Sequence, residues 1–264
     1  MEKTEPLIVV QALTVAYGSN MIQHDLTFTI NRGDIFIIMG GSGCGKTTVL
    51  RSMVGLLPPT KGQVFYNGLD FWLSEPGEQK SIMRKFGVLY QGGALWSSLT
   101  IAENVALPLQ QYTDLSPGQI EKIVSLKLAL VGLSGNEEYY PSEISGGMKK
   151  RAGLARAMAL DPEILFFDEP SAGLDPISAH QLDELIIELR NSLGATVVVV
   201  THELASIFAI GNNSVFLDAD TKTIIAAGEP GKLLTESKDP KVINFLTRGE
   251  GRAQEVKNDG GERQ

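Results

Sequence analysis

Apolar residues are distributed along this chain in two rhythms. Residues 35–39 (IFIIM), 164–167 (ILFF) and 196–200 (TVVVV) run without polar interruption, or nearly so, as strands buried on both faces do. Residues 7–15 and 26–30 are β-branched and partly alternating, and the NRGD turn at 31–34 leads from the second of them into the strand at 35–39. A short strand at 64–66 ends at the turn pair Asn67-Gly68. Helical spacing predicts a helix over 46–57, stopped by Pro58-Pro59. Ser116 caps a second helix with Pro117 in its first turn, running toward Val131 and closed by Gly132. A third covers 145–160, where Met148, Ala152, Leu154, Ala155 and Met158 form one apolar side and Asp161-Pro162 ends it. Helices at 176–191 and 203–210 then alternate with the last strands, near Val215 and Ile224. Buried strands alternating with helices predict an α/β fold with a parallel sheet covered on both faces.

Composition narrows the class. At 264 residues, 43% hydrophobic and 20% charged, the chain is one large domain, or one domain with an insertion, and is not disordered overall. Its 23 basic and 31 acidic residues leave a net charge of −8, which argues against nucleic acid or an anionic lipid surface as the main partner. The apolar runs fall far short of the ~20 residues of a membrane-spanning helix, so the chain is not expected to cross a bilayer by itself. The start, MEKTEPLIVV, does not resemble a secretory signal. The lone Cys44 permits no intrachain disulfide and fits a reducing cytoplasm. Residues beyond 249 are rich in glycine and charge and are expected to form a flexible tail.

Two motifs carry phosphate chemistry. Gly40-Gly41-Ser42-Gly43-Cys44-Gly45-Lys46-Thr47 fits GxxxxGK[ST] between a buried strand and a helix. Its glycines let successive N–H groups turn inward around an anion at a helix N-terminus. Lys46 would reach the β- and γ-phosphates and Thr47 would ligate Mg²⁺; Cys44 fills space at a variable loop position. Downstream, Ile164-Leu165-Phe166-Phe167 delivers Asp168 and Glu169 at the carboxyl end of a strand, where open α/β sheets bind ligands. Asp168 suits Mg²⁺, and Glu169 suits a general base acting on water.

Three further segments separate this chain from other phosphate-loop enzymes. Ile144-Ser145-Gly146-Gly147-Met148 precedes the acidic strand, Ser171-Ala172-Gly173-Leu174-Asp175 follows it, and Thr201-His202-Glu203 ends the next strand. With Tyr90-Gln91 they resemble, in order, the motif set of the ATP-binding cassette (ABC) ATPases over about residues 7–235. The resemblance implies a phosphate-loop NTPase core with an N-terminal antiparallel β subdomain and an inserted helical subdomain at about 92–160, within a domain spanning 1–248. It also implies a head-to-tail homodimer, with ATP between the phosphate loop of one copy and Ser145, Gly146 and Gly147 of the other. The phosphate loop through Thr48 would hold the nucleotide. Gln91 would sense Mg²⁺ and water, His202 would bond the γ-phosphate and position Glu169, Asp175 would act across the dimer while capping its own helix, and Tyr17 would stack on adenine. Met148 replaces the family's usual glutamine, so that position's role is not carried over.

Within the family, QGGALW at 91–96, TIAENVALPL at 100–109 and SGGM followed by basic residues look like the ATPases of MCE-type (Mla-type) lipid transporters. Residues 244–250, NFLTRGE, resemble the C-terminal segment of that group, where the tail reaches the neighbouring subunit. The resemblance implies phospholipid transport with a permease, an MCE-type substrate-binding protein and, as an open question, a small regulatory subunit, on the cytoplasmic face of a bacterial inner membrane. Residues 92–109 would then receive the permease, with Trp96 and Leu95 either partner contacts or buried in their own subdomain. An importer of another small solute and a soluble ABC protein are the alternatives.

Overall fold

The computed structural model describes residues 6–249. Two long antiparallel strands, β1 (Pro6–Tyr17) and β2 (Asn20–Asn31), are joined by the turn Gly18-Ser19. Next come β3 (Ile35–Gly40), buried along its whole length, and α1 (Lys46–Met53). Strand β4 (Lys61–Tyr66) returns to pair with β1, and β5 (Leu69–Asp70) pairs with β4, giving a sheet of order β2-β1-β4-β5. Helix α2 (Pro76–Met83) and strand β6 (Phe86–Leu89) lead into α3 (Ile101–Tyr112), α4 (Pro117–Leu130) and, after a 3-10 turn at Pro141–Glu143, α5 (Gly146–Ala157). The remainder alternates as β7 (Ile164–Asp168), α6 (Pro176–Leu193), β8 (Thr196–Val200), α7 (Leu204–Ile210), β9 (Asn213–Leu217) and β10 (Ile224–Ala227), then α8 (Pro230–Glu236) and α9 (Pro240–Leu246).

The second sheet has the order β10-β9-β3-β8-β7-β6 and is parallel except for β10. Alternate residues of its central strands enter two different cores. Ile35, Ile37, Met39, Leu165, Phe167, Val197 and Val199 pack with residues of α3 to α7. Phe36, Ile38, Phe166, Val198 and Val200 pack with Val49, Leu50 and Met53 of α1 and with the small sheet. Burial on both faces explains why these strands read as unbroken apolar runs.

Several boundaries differ from the sequence expectation. The first helix ends at Met53 rather than at residue 57, because Gly55 takes φ +87° and a Cβ there would lie 2.7 Å from the Phe71 ring. The helix expected over 145–160 spans Gly146–Ala157, with Ser145 as its cap. Helices α2 and α8 and strands β5 and β6 were not anticipated, and α3 was expected only as part of the helical subdomain at about 92–160. At the carboxyl end, Val242 and Leu246 of α9 are buried and Phe245 meets Phe216 edge-on, while the expected flexible tail and Glu250 of the terminal segment lie outside the described residues.

Candidate functional site

The loop 40–45 links the carboxyl end of β3 to α1 and is shaped by what cannot fit there. A Cβ at Gly40, which has φ +146°, would stand 2.3 Å from the Leu217 carbonyl oxygen and 2.8 Å from Cys44 Sγ. Gly45 caps α1 with φ +100° and offers no side chain, so the first N–H groups of the helix keep their capacity for an anion. Lys46 is buried, and its Nζ donates to the carbonyls of Gly40 and Gly41 at 3.0 Å each, along the inside of the loop. From the small sheet, the fully buried Gln23 donates through Nε2 to the carbonyls of Cys44 (2.6 Å) and Asp218 (3.0 Å). Nothing in the motif spacing marks Gln23, which lies between Ile22 and His24 in the mixed polar and apolar run of β2. Burial pushes the Cys44 thiol up, with Lys46 pulling the other way.

Thr47 donates its hydroxyl proton to Asp168 Oδ1 at 2.8 Å. Burial raises the Asp168 carboxyl above the usual range, and the Thr47 bond opposes that. A hydroxyl and a carboxylate side by side are hard oxygen donors, and no three His, Cys, Asp or Glu side chains are arranged to hold a metal ion by themselves among the described residues. The pair therefore fits a cation such as Mg²⁺, which binds through one or two protein oxygens and takes the rest of its shell from phosphates and water.

Glu169 follows, in the left-handed region at φ +50° and almost fully buried. Its Oε1 lies 2.8 Å from His202 Nδ1 and 4.0 Å from Lys46 Nζ, and its Oε2 is buried with no hydrogen-bond partner among the described residues. An unpartnered carboxylate oxygen beside a phosphate loop can accept a proton from a water molecule. The fold thus gathers the loop, Thr47, Asp168, Glu169 and His202 at the carboxyl ends of β3, β7 and β8. Gln91 stands exposed just beyond β6, and Tyr17 is 45% exposed at the end of β1, its hydroxyl accepting from Arg51 Nη1 at 3.0 Å.

Ser145, Gly146 and Gly147 form a second, separate group. Ser145 is exposed and caps α5 by accepting from the Met148 N–H at 3.2 Å. Beside it opens a cavity of about 180 Å³ lined by Ser145, Gly147, Met148, Arg151, Leu174 and Ser178 among others, none of them from the phosphate loop. Asp175 caps α6 by accepting from Ile177 and Ser178, and the Ser178 hydroxyl and N–H hold its carboxyl below the usual range. Helix α5 also reaches two other segments: Lys150 binds the turn after β7, and Arg156 donates to the carbonyls of Gly93 (3.0 Å) and Ala94 (2.7 Å), just past Gln91. Neither role was read from the sequence. For Lys150 a signal existed, since a cation four and eight residues ahead of the buried Leu154 and Met158 falls on the apolar side of the helix.

Between β6, α3 and α5 runs a groove of about 680 Å³, with Phe86, Val88, Leu107 and Pro108 among its apolar lining and Lys80, Arg84 and Arg156 as cations. Trp96 is 60% exposed nearby in sequence, whereas Leu95 packs partly buried against the core. No helix among the described residues is long and apolar enough to cross a membrane.

The ABC transporter family model matches residues 23–172, more than half of the chain. The chain is 40% identical to the intermembrane phospholipid transport system ATP-binding protein MlaF of Haemophilus influenzae, covering 91% of this chain and 90% of that protein. With MlaF of Escherichia coli K12 the identity is 38% over 91% of this chain and 88% of that one. It is also 41% identical to the protein of Mycobacterium tuberculosis named "Probable ribonucleotide transport ATP-binding protein mkl", covering 90% of this chain but spanning 66% of that longer relative. Among solved structures, the dimeric ATP-binding cassette MJ0796 in a post-hydrolysis state with ADP and Pi superposes with a TM-score of 0.77 at 28% identity, covering 84% of this chain and 98% of that one. CbiO1 of Clostridium perfringens, part of the cbiONQ transporter complex, gives 0.79 at 25%, covering 95% and 99%. With the phosphate loop, acidic strand end and signature segment placed as described, the chain belongs to the ABC transporter family.

Proposed function

We propose that this chain is the ATP-hydrolysing subunit of a phospholipid transporter, acting as a homodimer beneath membrane-embedded permease subunits. The observation that carries the enzymatic part is Glu169, its Oε1 bonded to His202 and its Oε2 buried and free to take a proton, beside Lys46 and the phosphate loop. The N–H groups of the loop and Lys46 bind the phosphates of ATP, Thr48 extends that site into α1, and Tyr17 receives the adenine. Mg²⁺, held by Thr47 and Asp168 with Gln91 as sensor, would neutralise charge on the phosphates. His202 orients Glu169, which accepts the proton of the attacking water at Oε2. Ser145, Gly146 and Gly147 serve the nucleotide of the other copy, with Asp175 beside that junction. Because ATP binds the closed pair better than the open one, binding closes the dimer and hydrolysis releases it.

The transported class follows from MlaF, which this chain matches over nearly its whole length. In this reading the apolar groove at Leu107 and Pro108 receives a cytoplasmic segment of the permease, and an MCE-type protein carries the lipid. The subunit works at the cytoplasmic face of a bacterial inner membrane, held there by the permease and without nucleic acid. A second reading, transport of another small solute, is favoured by the ribonucleotide transport name of the mycobacterial relatives. The two are separated by purifying the tagged chain from gently solubilised native membranes. Recovery with a multispan permease, an MCE-type protein and phospholipid supports the lipid assignment, and the same preparation reveals any regulatory subunit. Recovery with a permease and a soluble binding protein carrying a polar solute supports the second reading, and recovery only from the soluble fraction with ribosomes or DNA sinks both.

A further inference from the structure

Lys150 is 6% exposed, and its ammonium is spent entirely on main-chain oxygens of one turn. It donates to the carbonyls of Glu169 (3.2 Å), Pro170 and Ala172 (2.7 Å), so its three protons meet three acceptors. A buried ammonium without partners is costly, and here the turn after β7 takes the place of its hydration. The turn needs such support. Glu169 holds a left-handed backbone conformation that a residue with a Cβ keeps only when its surroundings over-determine it. Two more contacts bear on the same turn, the Glu169 N–H donating to the Val200 carbonyl at 2.8 Å and Ser206 Oγ standing 3.5 Å from Ser171 Oγ. Those contacts come from β8 and α7. Lys150 brings in α5, the helix capped by Ser145 five residues earlier.

We propose that Lys150 is a positioning residue, which fixes Glu169 and the turn through Ala172 against the helix that begins at Ser145, Gly146 and Gly147. The inference rests on the ATPase reading above. In that reading the N-terminus of α5 faces the nucleotide held by the other copy, while Glu169 serves the nucleotide of its own chain. A single ammonium therefore ties the occupancy of one site to the placement of the base in the other. Backbone carbonyls are the right acceptors for this task, because they move with the turn itself, whereas a side-chain acceptor could change rotamer and leave Glu169 behind.

The test compares Lys150→Met, Lys150→Gln and Lys150→Arg with the wild-type chain in ATP hydrolysis, with nucleotide binding measured separately by a fluorescent ATP analogue. Methionine keeps the unbranched stem to one atom short of Nζ and removes every donor, glutamine keeps two, and arginine keeps charge and donors. Misplacing a catalytic group by about 1 Å can cost 10²-fold, so kcat should fall about 10- to 100-fold in Lys150→Met with KM and analogue binding unchanged. Lys150→Gln should fall between, and Lys150→Arg should recover most of the rate. Wild-type kcat in a folded Lys150→Met or Lys150→Gln overturns the proposal. So does a loss of analogue binding in parallel with kcat, or a failure of arginine to restore more than methionine does. If methionine prevents folding, the glutamine and arginine pair decides by the same criteria. Absence of ATP hydrolysis by the wild-type chain overturns the ATPase reading instead, and this inference falls with it.

Discussion

His202 Nδ1 sits 2.8 Å from Glu169 Oε1, and that contact leaves Oε2 as the one oxygen of the carboxylate directed to other work. Glu169→Gln keeps the shape of the side chain and an oxygen for His202, but loses the basicity. Hydrolysis should fall about 10²–10⁴-fold while ATP still binds, so the variant should elute as an ATP-held dimer in size-exclusion chromatography. Normal turnover would remove Glu169 from the role of base. Lys46→Ala, in contrast, should lose nucleotide binding itself.

Thr47 supports Asp168 by a hydrogen bond as well as offering its own oxygen. Loss of an outer hydrogen bond to a metal ligand typically costs about 10–100-fold in metal affinity. Thr47→Val should therefore raise the Mg²⁺ concentration needed for half-maximal hydrolysis by at least about tenfold, and Thr47→Ser should restore it. The Asp168 carboxyl, already raised by burial and now without its donor, should also lose its charge at a higher pH, moving the acidic limb of the rate profile upward.

Gly40 cannot carry a side chain. A Cβ there would press on the Leu217 carbonyl at 2.3 Å in a backbone conformation that already disfavours L residues. Gly40→Ala should destabilise the fold by about 1–3 kcal/mol, read as a lower urea midpoint with little change in slope. An unchanged midpoint would show that β9 can yield at that point.

Asp218, at the end of β9, accepts from Lys241 of α9 and from Thr221. Burial pushes the carboxyl up, but these bonds outweigh it and bring the pKa from 3.8 to about 2. A depressed folded value means that the stabilisation is complete above the unfolded pKa and is lost as pH falls through the folded one. Lys241→Met should thus be less stable than wild type above about pH 4, and the difference should vanish below about pH 2, as followed by denaturant unfolding at each pH.

The unbroken runs in β3, β7 and β8 were legible because burial on both faces leaves no polar position to interrupt them. The phosphate loop was legible because its chemistry depends on glycine, lysine and threonine at fixed spacing. Helix α3 was harder to read, even though Thr100 and Glu103 cap it reciprocally, because Pro108 lies inside it and argues against a helix. Strand β6 has four residues, one of them Gly87, which is there because any Cβ would lie 2.3 Å from the Ala157 carbonyl. Gln23 and Arg156 act on main-chain carbonyls far away in sequence, and spacing along the chain carries no record of such contacts, whereas Lys150 is marked only by its place on the apolar side of α5.

Cys44 is the chain's single cysteine, 2% exposed inside the phosphate loop, with a thiol that burial keeps protonated. A thiol reagent can reach it only when the loop opens, so the labelling half-time measures the opening of that loop much as amide exchange measures local unfolding. Nucleotide that closes the loop lengthens the half-time, and the unmodified chain thereby carries its own clock for each ligand it holds.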